Sequence, residues 1–136
     1  MQQMYEKKKL LLQILRQLQD NRRLLVQLRK HSHSCQLEQL LSSHLQKISY
    51  LEWEGRQLAF QLGLEIPEPL SGIPLPCRYK DSRITARWIT RNRETLARCR
   101  RALRQYPHSD SVSIFCRKIT AFSLSALTAA EKFPDT

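Results

Sequence analysis

Apolar residues recur at helical spacing in four segments of the chain. The first segment repeats every seven residues, with further apolar positions between the repeats: Met4, Leu11, Leu18 and Leu25, then Ile14 and Leu28. This spacing places apolar side chains along one side of an α-helix, and we call each such line a seam. The pattern predicts helices over about residues 4–30, 35–62, 82–105 and 110–133.

Polar residues interrupt three of the four seams. Asn21, His44 and Asn92 stand on the seams of the first, second and third helices, where an apolar residue is expected. Asn21 and His44 lie at nearly equal distances from Ser32, so they meet at one level if the chain turns there. We therefore predict a buried polar layer of Asn21, His44 and Asn92, with Phe122 at the same level, and favour it over a small-molecule or single-metal site there. A buried polar group without a partner costs about 1–3 kcal/mol, whereas a paired one sets helix register.

The connection between the second and third helices is long and rich in proline. Residues 64–80 contain Pro67, Pro69, Pro74 and Pro76, which prevent a continuous helix. Apolar residues between these prolines indicate a segment that packs on the helices rather than a flexible linker. The sequence thus predicts a single all-α domain over residues 1–136, an antiparallel four-helix bundle of two helical hairpins joined by this crossover.

Short polar segments and two glycines mark the helix ends and contacts. His31, His33 and Cys35 lie in the first turn, where helix capping is favoured over metal binding because no fourth ligand is nearby. Gly63 occupies a position typical of a left-handed helix end. Gly55 interrupts the second seam, which predicts close approach of a neighbouring helix.

The formal net charge of +11 indicates either an anionic partner, which could be nucleic acid, acidic lipid or an acidic protein, or a highly solvated surface. Arginines recur along the third helix and form a candidate anion-binding or nucleic-acid patch: Arg83, Arg87, Arg91, Arg98 and Arg101. Lys7, Lys8 and Lys9 of the first helix are candidates for the same surface. The sequence contains no zinc finger or recognition-helix pattern that would indicate base-specific binding.

The four cysteines, Cys35, Cys77, Cys99 and Cys116, form no C-x-x-C pair, which argues against a zinc or dithiol site. They are interpreted as free thiols of a cytoplasmic protein, with Cys99 and Cys116 as small core residues. No uninterrupted apolar run approaches the roughly 20 residues of a membrane helix, so no membrane span is expected. The basic, apolar N-terminus continues into a helical pattern, which favours a mature helix over a signal peptide.

Four helices with a long central crossover resemble the ferritin-like superfamily, particularly the small bacterial bundles related to rubrerythrins. That resemblance covers most of the chain and is one of architecture. In that family, di-iron members place Glu on helices one and three and Glu-x-x-His on helices two and four. The matching positions here are Asn21, then Leu41 and His44, then Asn92, then Ile119 and Phe122. No Glu-x-x-His occurs, so the resemblance implies a divergent member that lacks the di-iron ligands.

The sequence therefore predicts a non-enzymatic bundle that acts by protein association as a homodimer, with no catalytic residue, cofactor or metal. Nucleic-acid binding through the Arg-rich third helix is the first alternative. A metal-dependent ferritin-like oxidoreductase is the second, and it conflicts with the missing carboxylates. Glu52, Glu54 and Glu94 lie off the seams and are interpreted as surface charges.

Overall fold

A computed structural model of the chain describes residues 2–30, 35–66 and 81–131. These residues form four helices and no strand: α1 (Gln2–Lys30), α2 (Cys35–Gln61), α3 (Asp81–Gln105) and α4 (Ser111–Ala130). The prediction of an all-α fold with four helices is confirmed for this part of the chain. Most of the predicted crossover over residues 64–80 lies outside the described residues, as does Phe133, the predicted end of the fourth helix.

Local signals in the sequence account for the ends of α2 and α4. Gly63 adopts the predicted left-handed conformation, with φ of 72°. Its N–H donates to Phe60 O (3.0 Å), and Leu64 N–H donates to Ala59 O (2.9 Å), as in a Schellman motif. Asp110 caps α4 by accepting a hydrogen bond from Val112 N–H at 2.9 Å.

Each helix packs against two others. α1 packs against α2 and α3, and α4 packs against the same two helices, so α1 lies diagonally opposite α4. Between α1 and α3, Asn21 contacts Asn92 and Glu6 contacts Gln105. The α1/α3 pair and the α2/α4 pair therefore form opposite sides of the molecule.

The core is built mainly from the predicted seams. Its largest side chain is Trp88, which has no exposed surface. Met4, by contrast, begins the predicted seam of α1 but is 47% exposed. The repeat therefore enters the core only after the first turns of the helix.

Gly55 lies where α2 meets both α1 and α4. A Cβ atom at this position would lie 2.5 Å from Leu15 Cδ2 and 2.7 Å from Phe115 Cζ. The predicted close approach is thus confirmed, because any side chain here would displace two core residues.

Among the described residues, α4 alone is long and apolar enough to cross a membrane, with a mean hydropathy of 1.2 over Ser111–Ala130. Half of that segment is buried inside the protein. The apolar character of α4 is therefore used, at least in part, for packing against α2 and α3.

Candidate functional site

Asn21, Asn92 and Trp88 form a buried hydrogen-bond network between α1 and α3. Asn21 Nδ2 donates to Asn92 Oδ1 at 2.8 Å, and Trp88 Nε1 donates to Asn21 Oδ1 at 2.7 Å. Asn92 Nδ2 donates in turn to the carbonyl of Trp88 at 2.9 Å. Both asparagine side chains thus have a donor and an acceptor in use, as burial requires.

His44 lies beside this network but is not part of it. Its ring centroid is 6.1 Å from that of Trp88 and 5.7 Å from that of Phe122, in edge-to-face arrangements. The side chain is 3% exposed, and neither ring nitrogen has a hydrogen-bond partner among the described residues. Burial, with a smaller contribution from the charge of Lys47, lowers the pKa of His44. The imidazole is therefore neutral near pH 7.

We use the term polar layer for Asn21, His44, Trp88 and Asn92. Of the positions that match the ferritin-like ligand set, Asn21, His44 and Asn92 belong to this layer, and Phe122 contacts His44. Apart from the layer residues these positions are apolar and buried: Leu41, Ile119 and Phe122. Both asparagines are already engaged with each other and with Trp88, which leaves one imidazole and no carboxylate. This donor set does not fit a di-iron centre, which needs several anionic oxygens.

No group of three or more His, Cys, Asp or Glu residues that could hold a metal ion occurs in the described part of the chain. His31 and His33 lie outside those residues, and Cys35 is an exposed free thiol. Cys99 and Cys116 are buried free thiols of α3 and α4, so both contribute to the core. Hydrogen bonding to Cys116, together with burial, raises the pKa of Cys99.

Glu52 contradicts its interpretation as a surface charge. It is 5% exposed and faces α1, where Arg22 Nε lies 2.9 Å from its Oε2. That N–H is not aligned for a hydrogen bond, but Arg56 Nη2 donates to Glu52 Oε1 at 3.1 Å. Glu54 and Glu94 lie nearer the surface, in ion pairs with Lys118 and Arg91. Glu52 thus joins α1 to α2 through a nearly buried carboxylate.

Replacing Glu52 with Gln is expected to lower the free energy of unfolding by about 1–2 kcal/mol, because both arginines lose their ion pair with the carboxylate. Urea denaturation followed by circular dichroism measures the change. Glu54→Gln is the matched control, since its pair with Lys118 is more exposed, and should cost under about 0.5 kcal/mol. If both variants lost the same free energy of unfolding, the burial of Glu52 would make no additional contribution to stability.

Arginines of α3 and cations of α1 line two clefts on the α1/α3 side. One cleft contains Arg23, Arg87 and Arg91 together with Asp20. The second contains Lys9, Arg98 and Arg101, with Glu6 as its acidic residue. The side chain of Arg83, the remaining predicted member of the patch, lies outside the described residues. We use the term cationic face for Lys9, Arg16, Arg23, Arg87, Arg91, Arg98 and Arg101.

The contribution of α1 to this face was only partly predicted. Lys7, a predicted member, instead pairs with Asp110 and is largely buried. Lys9, Arg16 and Arg23 recur every seven residues and so follow one line along α1. This basic repeat is visible in the sequence, where it runs beside the apolar repeat of the same helix.

Charge is distributed unequally between the two sides of the molecule. α1 and α3 each carry eight Lys or Arg and two Asp or Glu. α2 carries two basic and three acidic residues, and α4 carries two basic residues and no acidic one. The positive charge of the helices therefore belongs almost entirely to the α1/α3 side.

No protein-family model, curated protein or solved structure matches this chain. The features of the molecule that bear on its function are the polar layer, the cationic face and the near-neutral α2/α4 side.

Proposed function

We propose that the protein is a non-enzymatic helical bundle that acts by association, and that its cationic face binds the phosphate backbone of nucleic acid. The observation that carries this proposal is the concentration of sixteen of the 23 Lys and Arg residues on α1 and α3, seven of which form the cationic face. Such a surface attracts a polyanion and releases the counterions condensed on it.

The spacing of the two clefts supports a linear polyanion. Arg87 and Arg91 line one cleft, and Arg98 and Arg101 line the other. At 1.5 Å per residue, the centres of these two pairs lie about 16 Å apart along α3. That distance corresponds to about five phosphate steps of 3.4 Å along one strand of a duplex. Contacts of this kind bind the backbone and carry no base specificity.

We further propose that the helices run antiparallel with ferritin-like connectivity, and that the polar layer sets their register. In favour of this, Glu54 contacts Lys118 whereas His44, earlier in α2, contacts Phe122, later in α4. The pairs between α1 and α3 follow the same reversed order. A cytoplasmic location remains a prediction from the free thiols.

The test is fluorescence anisotropy with a labelled 20-base-pair duplex and the matching single strand, at 50–200 mM NaCl. We expect the logarithm of the association constant for the duplex to fall with that of the salt concentration, with a slope of about −4 to −5 for five contacts. The triple variant Lys9→Gln, Arg98→Gln, Arg101→Gln should reduce the slope by about 2–3 and weaken binding at least tenfold at 100 mM NaCl.

The matched control removes the same charge from the other side of the molecule, with Lys47→Gln, Arg117→Gln and Lys118→Gln. Its effect on affinity should stay below about threefold, because long-range charge is screened beyond about 10 Å at 100 mM salt. Equal weakening by the two triple variants would refute a defined binding face. Absence of binding at 50 mM NaCl would refute the proposed function itself.

A further inference from the structure

Three large aromatic side chains project outward from one side of α2. Tyr50 is 58% exposed, Trp53 is 55% exposed and Phe60 is 79% exposed. The rings of Tyr50 and Trp53 lie against each other, with centroids 6.0 Å apart. Trp53 and Phe60 are seven residues apart and so lie on the same side of the helix. We call Tyr50, Trp53 and Phe60 the aromatic strip; it extends about 15 Å along α2.

A groove between α2 and α4 begins at the edge of the aromatic strip. Its volume is about 480 Å³, and Tyr50, Leu51, Ala121 and Phe122 supply its apolar lining. Lys47 and Lys118 are its charged lining residues, and Lys118 is paired with Glu54. Phe122 separates this groove from the ring of His44. The strip and the groove thus place a protruding and a receding apolar surface side by side, so that one patch can be complementary to its own copy across a two-fold axis.

We propose that a second copy of this chain docks here, with the aromatic strip of each copy packed into the α2/α4 groove of the other around a two-fold axis. Charge argues for a second copy as the occupant. α2 and α4 together carry four basic and three acidic residues, so two copies can approach through this side with little repulsion. The strongly basic α1/α3 sides then point away from each other, and both remain available to a polyanion.

The available area fits a dimer of moderate strength. An aromatic side chain can bury about 150–250 Å², so the exposed parts of the strip supply about 300–500 Å² per copy. A standard interface buries about 800 Å² per partner, and the groove with its rim supplies part of the remainder. Tyr and Trp are also the residues that most often dominate interface energetics. We therefore expect a dissociation constant in the micromolar range.

Sedimentation velocity over 1–200 µM protein tests the proposal at 0.05, 0.15 and 0.5 M NaCl. We expect a monomer–dimer equilibrium that tightens with salt, because screening reduces repulsion between two chains of net charge +11. Nucleic-acid binding changes with salt in the opposite direction, so the two associations are separable. A strict monomer at 200 µM in 0.5 M NaCl would overturn the proposal.

Trp53→Glu is expected to weaken dimerisation at least 30-fold, since the two-fold axis introduces the buried charge twice. Leu124→Glu is the matched control: Leu124 is 43% exposed on α4, does not line the groove, and should change the dissociation constant less than threefold. Thermal unfolding by circular dichroism verifies that both variants fold. Equal effects of the two substitutions would overturn the assignment of the interface.

Native mass spectrometry of the purified protein tests whether the groove holds an apolar small molecule instead of a second copy of the chain. A monomer that retains an apolar small molecule, which Trp53→Glu releases, would assign the groove to a ligand and overturn the dimer.

Binding of the labelled duplex by Trp53→Glu, measured below the dimer dissociation constant, should equal that of the wild-type monomer. Failure of the dimer and failure of nucleic-acid binding are thereby recorded in separate measurements.

Discussion

Replacing Asn21 with Leu is expected to lower the free energy of unfolding by about 2–4 kcal/mol. The substitution leaves Trp88 Nε1–H and Asn92 Oδ1 without the partners that Asn21 provides at 2.7 and 2.8 Å. Each unpaired buried group costs about 1–3 kcal/mol, and the apolar gain from the new side chain offsets only part of the loss. Urea denaturation at pH 7, followed by circular dichroism, gives the change directly.

A double-mutant cycle isolates the hydrogen bond between Asn21 and Trp88. Trp88→Phe removes the indole donor while retaining an aromatic ring in the core. Asn21→Leu combined with Trp88→Phe should cost about 1–2 kcal/mol less than the sum of the single changes, because the orphaned donor is then absent. Gln13→Leu, at a half-buried position of α1 outside the layer, serves as the control and should change stability by under about 0.5 kcal/mol. Strict additivity would show that the two residues do not act together.

The helices and the interruptions in their seams were accessible from the sequence for a physical reason. Apolar periodicity reports which side of a helix is buried, and a polar residue on that side is conspicuous. Asn21 is visible in this way because leucines and an isoleucine surround it on the seam. The same signal identifies His44 and Asn92 as buried positions.

The bonds within the layer were not accessible from the sequence. The partner of Asn21 is the indole of Trp88, which is 67 residues away in the sequence. Periodicity specifies the buried side of each helix but not the rotation of one helix against the next. Whether a buried polar group finds a partner depends on that rotation.

Glu52 shows the same limit at the edge of a seam. Glu52 directly follows Leu51, so it does not lie on the seam of apolar residues and was not expected to be buried. In the structure α2 contacts both α1 and α4, and it therefore buries a wider surface than the seam. A carboxylate on that wider surface is retained because Arg22 and Arg56 compensate its charge. The contact with Arg56 is predictable from the sequence, because the two residues are four apart on one helix. The contact with Arg22 of α1 is not predictable in this way.

The polar layer thus combines side chains whose hydrogen-bonding groups are paired with one, His44, whose ring nitrogens have no partner among the described residues. The asparagine–tryptophan network satisfies its own donors and acceptors and favours one alignment of α1 with α3, as a buried Asn does in coiled coils. His44, on α2, gains only ring contacts from the same layer. An apolar substitution in the asparagine–tryptophan network should therefore lower the free energy of unfolding, whereas one at His44 should raise it.

His44→Leu is accordingly expected to raise the free energy of unfolding by about 1–2 kcal/mol at pH 7. The two ring nitrogens lack partners among the described residues, and a leucine of similar size removes that cost while filling the same space. The difference in the free energy of unfolding between His44→Leu and the wild type should increase below pH 6.5. The native pKa of His44 is lowered, so the unfolded chain binds more protons there and the wild-type protein loses stability as pH falls.

Denaturation at pH 5, 6, 7 and 8 separates this effect from that of other groups. Carboxylates titrate in both proteins, so the difference between wild type and His44→Leu isolates the imidazole. His108→Leu is the control, because His108 is exposed and its replacement should change the free energy of unfolding at pH 7 by under about 0.5 kcal/mol. If His44→Leu were instead destabilising by more than about 1 kcal/mol, with an unchanged pH dependence, the imidazole would be held by a bound group. The layer would then have to be reinterpreted as a ligand site.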